Sequence, residues 1–202
     1  MITIISATNR PNSNSLKFAR LYSQLMEKRG VKSKILSLEQ VPVDIAFNEL
    51  FSNRSEEFQK LLDTYIIPSQ KYVIIAPEYN GSFPGIFKVF IDAMHPELMR
   101  EKKAALIGVS NGRAGTLLGL DHLTGILHYL GVFVHPNKLP ISSVSTLLDE
   151  QGNITDENTI KALENHVLGF CEMVINGSHH NSVKTLLRNK GYRIDIQSLR
   201  SL

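Results

Sequence analysis

At 202 residues, with 43% hydrophobic and 20% charged residues, the chain is long enough for one well-packed domain and has an ordinary globular composition. Its formal net charge of +3 is small and spread along the sequence apart from the stretch Arg100 to Lys103, which argues against a nucleic-acid surface. The single cysteine, Cys171, excludes internal disulfides and cysteine-based metal clusters, fits a reducing compartment, and falls in an apolar helical pattern that assigns it to the core.

The sequence opens on the strand pattern Ile2-Thr3-Ile4-Ile5, without the basic start and long apolar run of a signal peptide. No apolar stretch approaches the roughly 20 residues needed to cross a bilayer, so a cytoplasmic protein without a membrane segment is expected. Ile2 to Ala7 reads as the first strand and Ser15 to Arg29 as a helix stopped at Gly30. Lys34 to Leu38 is a second strand, Asn53 to Ile67 a second helix ended by Pro68, and Tyr72 to Ala76 a central strand. A third helix runs from Pro84 to Met94, with Ile86, Phe87, Phe90, Ile91 and Met94 at helical spacing. Lys103 to Val109 is the fourth strand, Thr116 to Leu130 the fourth helix, and Val132 to Val134 starts a fifth strand that ends near Pro136. Asp156 to Ile175 is a fifth helix, with Thr155 or Asp156 as its N-cap.

Strict alternation of β-branched runs with helical periods predicts one α/β domain over residues 1–175, built on a parallel sheet. Such a sheet binds ligands beyond the carboxyl ends of its strands, near the point where strand order reverses. Residues 176–202 fall outside that count and read as a C-terminal extension that packs on a partner subunit or covers a sheet edge. Its pair His179-His180 has no carboxylate or cysteine at ligand spacing, so no metal site is expected there.

Three loops fall at carboxyl ends of predicted strands. The first, Ser6 to Ser15, is rich in hydroxyls and amides and joins a strand to a helix, whose start presents unpaired N–H groups and partial positive charge. Thr8, Arg10, Ser13 and Ser15 are candidates to complete an anion site; the alternative is a turn with Ser13 or Asn14 capping the helix. The loop contains no glycine, which excludes a dinucleotide fingerprint and a Walker loop and leaves a terminal monophosphate as the suitable anion.

The second loop, Pro77 to Gly85, carries two aromatics and is longer than a connection requires, although Asn80-Gly81 and Phe83-Pro84-Gly85 are turn formers in their own right. A flat heteroaromatic ring needs donors along its rim and an apolar wall on its face. Tyr79 is the candidate wall, with Glu78, Asn80 and Gly81 at the rim. The third loop is Ser110-Asn111-Gly112-Arg113-Ala114-Gly115, whose glycines permit close backbone approach. Arg113 is either a ligand contact or a solvated charge.

Pro77-Glu78-Tyr79-Asn80 followed by Ser82, Pro84 and Gly85 resembles the Pro-Glu-Tyr-Asn…Pro-Gly signature of the NADPH-dependent FMN reductase family, which includes chromate, azo and quinone reductases. Arg10 with Ser13 resembles that family's Gly-Ser-x-Arg-x-x-Ser phosphate loop, with Ser6-Ala7 standing where the family has Gly-Ser and Thr8 able to replace the hydroxyl. The resemblance covers residues 1 to about 175. It implies a flavodoxin-like three-layer sandwich with a five-stranded parallel sheet of order 2-1-3-4-5.

It also implies non-covalent FMN, held at its phosphate by Thr8, Arg10, Ser13, Asn14 and Ser15. Pro77, Glu78, Tyr79, Asn80 and Gly81 would line the isoalloxazine, and Ser110, Asn111, Gly112 and Gly115 its other edge. Arg113 and Tyr79 are the expected substrate contacts, and a homodimer or homotetramer with the flavin near a subunit interface is expected. His122 falls on a helix similar to the family's and is read as a packing residue.

The implied reaction is hydride transfer from NADPH or NADH to FMN, then electron transfer to a quinone, azo compound, metal oxyanion or free flavin. It is governed by binding geometry and needs no dedicated catalytic side chain. The rival is a flavodoxin-like electron carrier or redox-responsive binding protein without nicotinamide turnover.

Overall fold

The structure is a computed structural model and describes residues 1–51 and 54–173. The expected extension at 176–202 lies outside the described residues. Strand β1 (Ile2–Ser6) leads to helix α1 (Asn14–Glu27) and β2 (Ser33–Ser37). Helix α2 (Glu56–Leu61) runs into a wider π turn over Leu62–Ile66 before β3 (Lys71–Pro77). Then come α3 (Gly85–Asp92), β4 (Lys103–Val109), α4 (Leu117–Tyr129), β5 (Phe133–Val134), β6 (Leu139–Ile141) and α5 (Glu157–Glu172).

All strand pairs are parallel and the order is β2-β1-β3-β4-β5, as expected. The fifth position is divided between two short strands. β5 pairs with the start of β4 and β6 with its end, where Gly108 faces Pro140 and Val109 faces Ile141. The sequence reading stops the strand at Pro136 and misses β6, because three residues containing a proline carry no strand pattern. Pro140 is tolerated because β6 lies at the edge of the sheet, where an N–H is not needed on the outer side.

The central strands are buried on both faces, and their side chains divide by alternation. Ile74, Ala76, Ala104 and Leu106 pack with Phe58, Phe87, Phe90, Leu120 and Leu123 from α2, α3 and α4. Val73, Ile75, Ala105 and Ile107 pack with Phe18, Tyr22 and Met26 of α1 and with Leu163, Val167 and Phe170 of α5. Cys171 lies at the rim of that second layer, partly exposed rather than enclosed.

Caps explain the observed helix starts. The Ser13 hydroxyl accepts the Leu16 N–H at 3.2 Å, that of Ser55 accepts Phe58 N–H at 3.1 Å, and the Asp156 carboxylate accepts Thr159 N–H at 2.7 Å. The second helix therefore begins after Ser55, inside the span predicted from Asn53, and Asp156 rather than Thr155 caps the fifth.

Two buried lysines close the opposite pole of the sheet. Lys71 Nζ donates to the carbonyls of Phe170 and Cys171 at 3.0 and 3.1 Å, capping the end of α5. Lys102 Nζ donates to the Ile66 carbonyl at 2.6 Å and to the Tyr72 hydroxyl at 2.9 Å, and burial pushes its amine down to about 7.

Candidate functional site

Because β1, β3 and β4 are parallel neighbours, their carboxyl ends deliver the three predicted loops to one edge of the sheet. In the first loop the Ala7 N–H still pairs with the Ile75 carbonyl at 2.9 Å, and the chain then leaves the sheet. The next side chain, Thr8, is fully buried. Its Oγ1 accepts the Arg10 backbone N–H at 3.2 Å, folding the loop back on itself, while Asn12 takes φ +53° to complete the turn into α1. Ser13 is both the helix cap and a loop hydroxyl: its oxygen accepts from Leu16, and its proton remains available to an anion.

Ser15, 1% exposed in the first turn of α1, has a buried hydroxyl with no protein partner, as does Ser6 at the end of β1. Buried hydroxyls are rarely left unmatched, so orphaned ones beside a helix N-terminus fit an oxygen-rich anion. The residues present therefore fit the phosphate of FMN. Counted back from Arg10, the family motif's serine falls on Thr8 and its glycine on Ala7, one place later than the Ser6-Ala7 alignment. Arg10 and Asn9 are exposed and Asn14 half-buried.

The second loop is a tight hairpin. Tyr79 and Ser82 exchange both backbone hydrogen bonds, N–H to carbonyl at 2.8 and 3.1 Å, around Asn80 (φ +52°) and Gly81 (φ +76°). Positive φ at both central residues is what a type I′ turn demands, and Asn-Gly is the pair that adopts it most readily. Pro77 and Glu78 are half-buried at its base.

The hairpin is tied to both neighbouring loops. Tyr79 Oη lies 2.9 Å from Thr8 Oγ1, linking the second loop to the first. Glu78 Oε2 accepts the Thr116 N–H at 3.1 Å, linking it to the end of the third. Ser82 Oγ lies 3.0 Å from His122 Nδ1, so His122 is an exposed hydrogen-bonding partner of the hairpin and not the packing residue expected.

Two glycines allow this close fit. A Cβ on Gly119 would come within 2.9 Å of the Ser82 carbonyl carbon and 3.0 Å of the Phe83 nitrogen, so α4 meets the hairpin backbone directly. A Cβ on Gly108 would meet the Gly115 carbonyl oxygen and Thr116 Cβ, both at 2.7 Å.

The third loop leans on β6. The Ser110 N–H donates to the Ile141 carbonyl at 3.0 Å, its hydroxyl accepts the Gly112 N–H at 2.9 Å, and Asn111 Oδ1 accepts the Ser145 N–H at 2.8 Å. Gly112 and Arg113 are exposed, while Gly115 is buried with φ +58° against Pro140. Thr116, not singled out in the sequence, has φ +72° and a buried hydroxyl without a partner.

All fourteen expected cofactor residues lie on these three loops or at the ends of the strand and helix that flank them. The two direct ties between loops run through Thr8, Tyr79, Glu78 and Thr116. Thr116, Gly119 and the Ser82–His122 pair were missed; the one available signal was Gly119 inside a helical pattern, since a helix-interior glycine often marks a close approach. Among the described residues no group of His, Cys, Asp or Glu could hold a metal ion, and no helix is long and apolar enough to cross a membrane.

A doubly wound parallel sheet with three loops gathered beyond the carboxyl ends of its strands defines a flavodoxin-like α/β class. The profile of the NADPH-dependent FMN reductase family matches residues 1–146, and the chain belongs to that family. It is 32% identical over 131 residues to a 2-hydroxy-1,4-benzoquinone reductase of a Burkholderia species, covering 60% of this chain and 72% of that one. Over 94 residues it is 37% identical to an NAD(P)H-dependent FMN reductase of Pseudomonas aeruginosa, covering 44% and 50% respectively.

Among solved structures it is similar to FerB, a flavoenzyme NAD(P)H:(acceptor) oxidoreductase of Paracoccus denitrificans, with a TM-score of 0.70, 25% identity and coverage of 91% and 97%. An archaeal flavodoxin shares the fold at a TM-score of 0.57 and 11% identity, covering 91% and 99%. The chain is an FMN-dependent NAD(P)H oxidoreductase, with FMN as cofactor and NAD(P)H as electron donor. The carrier reading is not favoured.

Proposed function

We propose that the three-loop edge holds FMN with its phosphate on the first loop and its ring along the second and third, and that the second electron acceptor is a quinone. The observation that carries the placement is the buried, unpartnered Ser15 hydroxyl in the first turn of α1, where an anion would complete both the hydroxyl and the helix start. The quinone reading is supported by the similarity to a benzoquinone reductase.

FMN, when bound, supplies the ring that accepts a hydride and passes electrons onward. The protein's own part is binding and orientation. Thr8, Ser13, Asn14 and Ser15 hold the phosphate end, with Arg10 adding charge from the exposed side of the loop. The hairpin at Asn80-Gly81 offers backbone groups at the ring end. Pro77 and Glu78 form its base, and Ser110, Asn111, Gly112 and Gly115 the opposite edge. Arg113, exposed beside that edge, contacts the nicotinamide donor or the acceptor.

Residues 1–175 act as the FMN domain in a cytoplasmic homodimer or homotetramer, a setting supported by the reduced state that a lone cysteine fits. The test is steady-state NADPH and NADH oxidation by the FMN-loaded protein with a benzoquinone acceptor. Turnover well above that of free FMN is expected; a rate equal to free FMN overturns the reading.

A further inference from the structure

The Thr8 hydroxyl is approached by two groups at once. The Arg10 N–H can only donate, and it takes one of the two acceptor positions on Oγ1 at 3.2 Å. The Tyr79 hydroxyl stands 2.9 Å from the same oxygen. A phenol is more acidic than an aliphatic alcohol, so its O–H is the better donor and its oxygen the poorer acceptor of the two. With Tyr79 as the donor that this acidity favours, both acceptor positions of Thr8 are filled and the Thr8 proton is left to be donated outward. Thr8 is fully buried, so that proton is not diverted to bulk water.

We propose that Tyr79 is a positioning residue for the phosphate end of the site, which commits the Thr8 hydroxyl to donate to a phosphate and thereby sets preference for FMN over its dephosphorylated form, riboflavin. This rests on the FMN placement proposed above. It assigns Tyr79 differently from the ring wall or substrate contact that the sequence suggests. A hydroxyl held at 2.9 Å from the first loop ties the side chain to the phosphate end, although Tyr79 belongs to the second loop. The bond also joins the loops that receive the two ends of one ligand, so a ligand with a phosphate meets a site already closed on that side.

Titration of the apoprotein with FMN and with riboflavin, followed by quenching of flavin fluorescence, separates the possibilities. Tyr79→Phe keeps the ring and removes only the hydroxyl. FMN affinity is expected to fall about 5- to 10-fold, the scale of one hydrogen bond, with riboflavin affinity unchanged. Thr8→Val is expected to lower FMN affinity further, again sparing riboflavin, and Thr8→Ser to restore it. Circular dichroism confirms that each variant is folded.

Equal losses for both flavins in Tyr79→Phe would overturn the proposal in favour of a ring contact, and unchanged affinities would overturn it outright. If the wild-type protein binds neither flavin, the underlying placement fails, which is visible before any variant is made. If the wild type binds both flavins equally, the preference itself is absent and the proposal falls alone.

Discussion

The Glu78 carboxylate accepts a hydrogen bond from the backbone N–H of Thr116, 38 residues later and at the start of α4. The bond joins the ends of β3 and β4 beyond the sheet, where no strand ladder can hold them. A carboxylate at a helix start is favoured by the exposed N–H groups and by the helix dipole. Glu78→Ala removes the acceptor and is expected to weaken FMN binding to the apoprotein by about 10- to 150-fold, the range for a hydrogen bond to a charged group. Glu78→Gln, which keeps a carbonyl acceptor, is expected to stay within a few-fold of wild type. Fluorescence titration of both variants checks this, and equal losses would show that charge rather than the bond matters.

Ser15→Ala should move stability and binding in opposite directions. The buried Ser15 hydroxyl has no protein partner, so its removal leaves the apoprotein's Tm unchanged or slightly raised. FMN affinity should fall, on the order of tenfold, if that hydroxyl serves the phosphate. Thermal unfolding with and without FMN reads both effects in one experiment.

Gly119→Ala tests the contact between α4 and the hairpin. In an ordinary helix interior the change would stabilise by up to about 1 kcal/mol. Here the added carbon would lie within 2.9 Å of Ser82 backbone and 2.8 Å of Thr116 Cγ2, so the expected result is a loss of roughly 1–3 kcal/mol. Urea denaturation gives the sign, and a stabilised variant would mean that the hairpin moves freely.

His166 predicts an acid-sensitive fold. Its Nε2 faces the Asn137 carbonyl at 3.0 Å and must carry the proton, so Nδ1 accepts the Tyr22 hydroxyl at 2.9 Å. Burial, with a smaller contribution from nearby His135, pushes the imidazole down to about 4 from an ordinary 6.5. A depressed folded-state value means that the unfolded chain binds the proton first. Stability from this residue is thus complete above the unfolded value and is lost as pH falls from about 6.5 towards 4, on the order of 3 kcal/mol in all. Denaturant midpoints measured across that range should fall with pH, and should fall less steeply in His166→Asn.

Strand and helix order was legible because apolar runs such as Val73-Ile74-Ile75-Ala76 alternate with segments of helical period, and because Gly30, Pro68 and Ser13 punctuate the segments. β6 was not, since Leu139-Pro140-Ile141 becomes a strand only by pairing with β4. The three loops were readable from their residue types. The partners of Tyr79 and Glu78 were not: Thr8 and Thr116 lie 71 and 38 residues away, and only the parallel sheet brings them within reach. His122 looked like a core histidine for the same reason, its role depending on a hairpin 40 residues earlier.

Helix α5 lies beyond the 146 residues that match the family, and it contributes none of the three loops. Yet Leu163, Val167 and Phe170 cover Val73, Ile75 and Ile107, and Lys71 grips its final carbonyls. During synthesis all three loops therefore leave the ribosome before the sheet's second face can be sealed. A chain interrupted ahead of residue 157 would carry all three loops on a sheet open to its neighbours, a species prone to aggregate. The three loops come early in the chain, but the sheet that carries them is closed by α5.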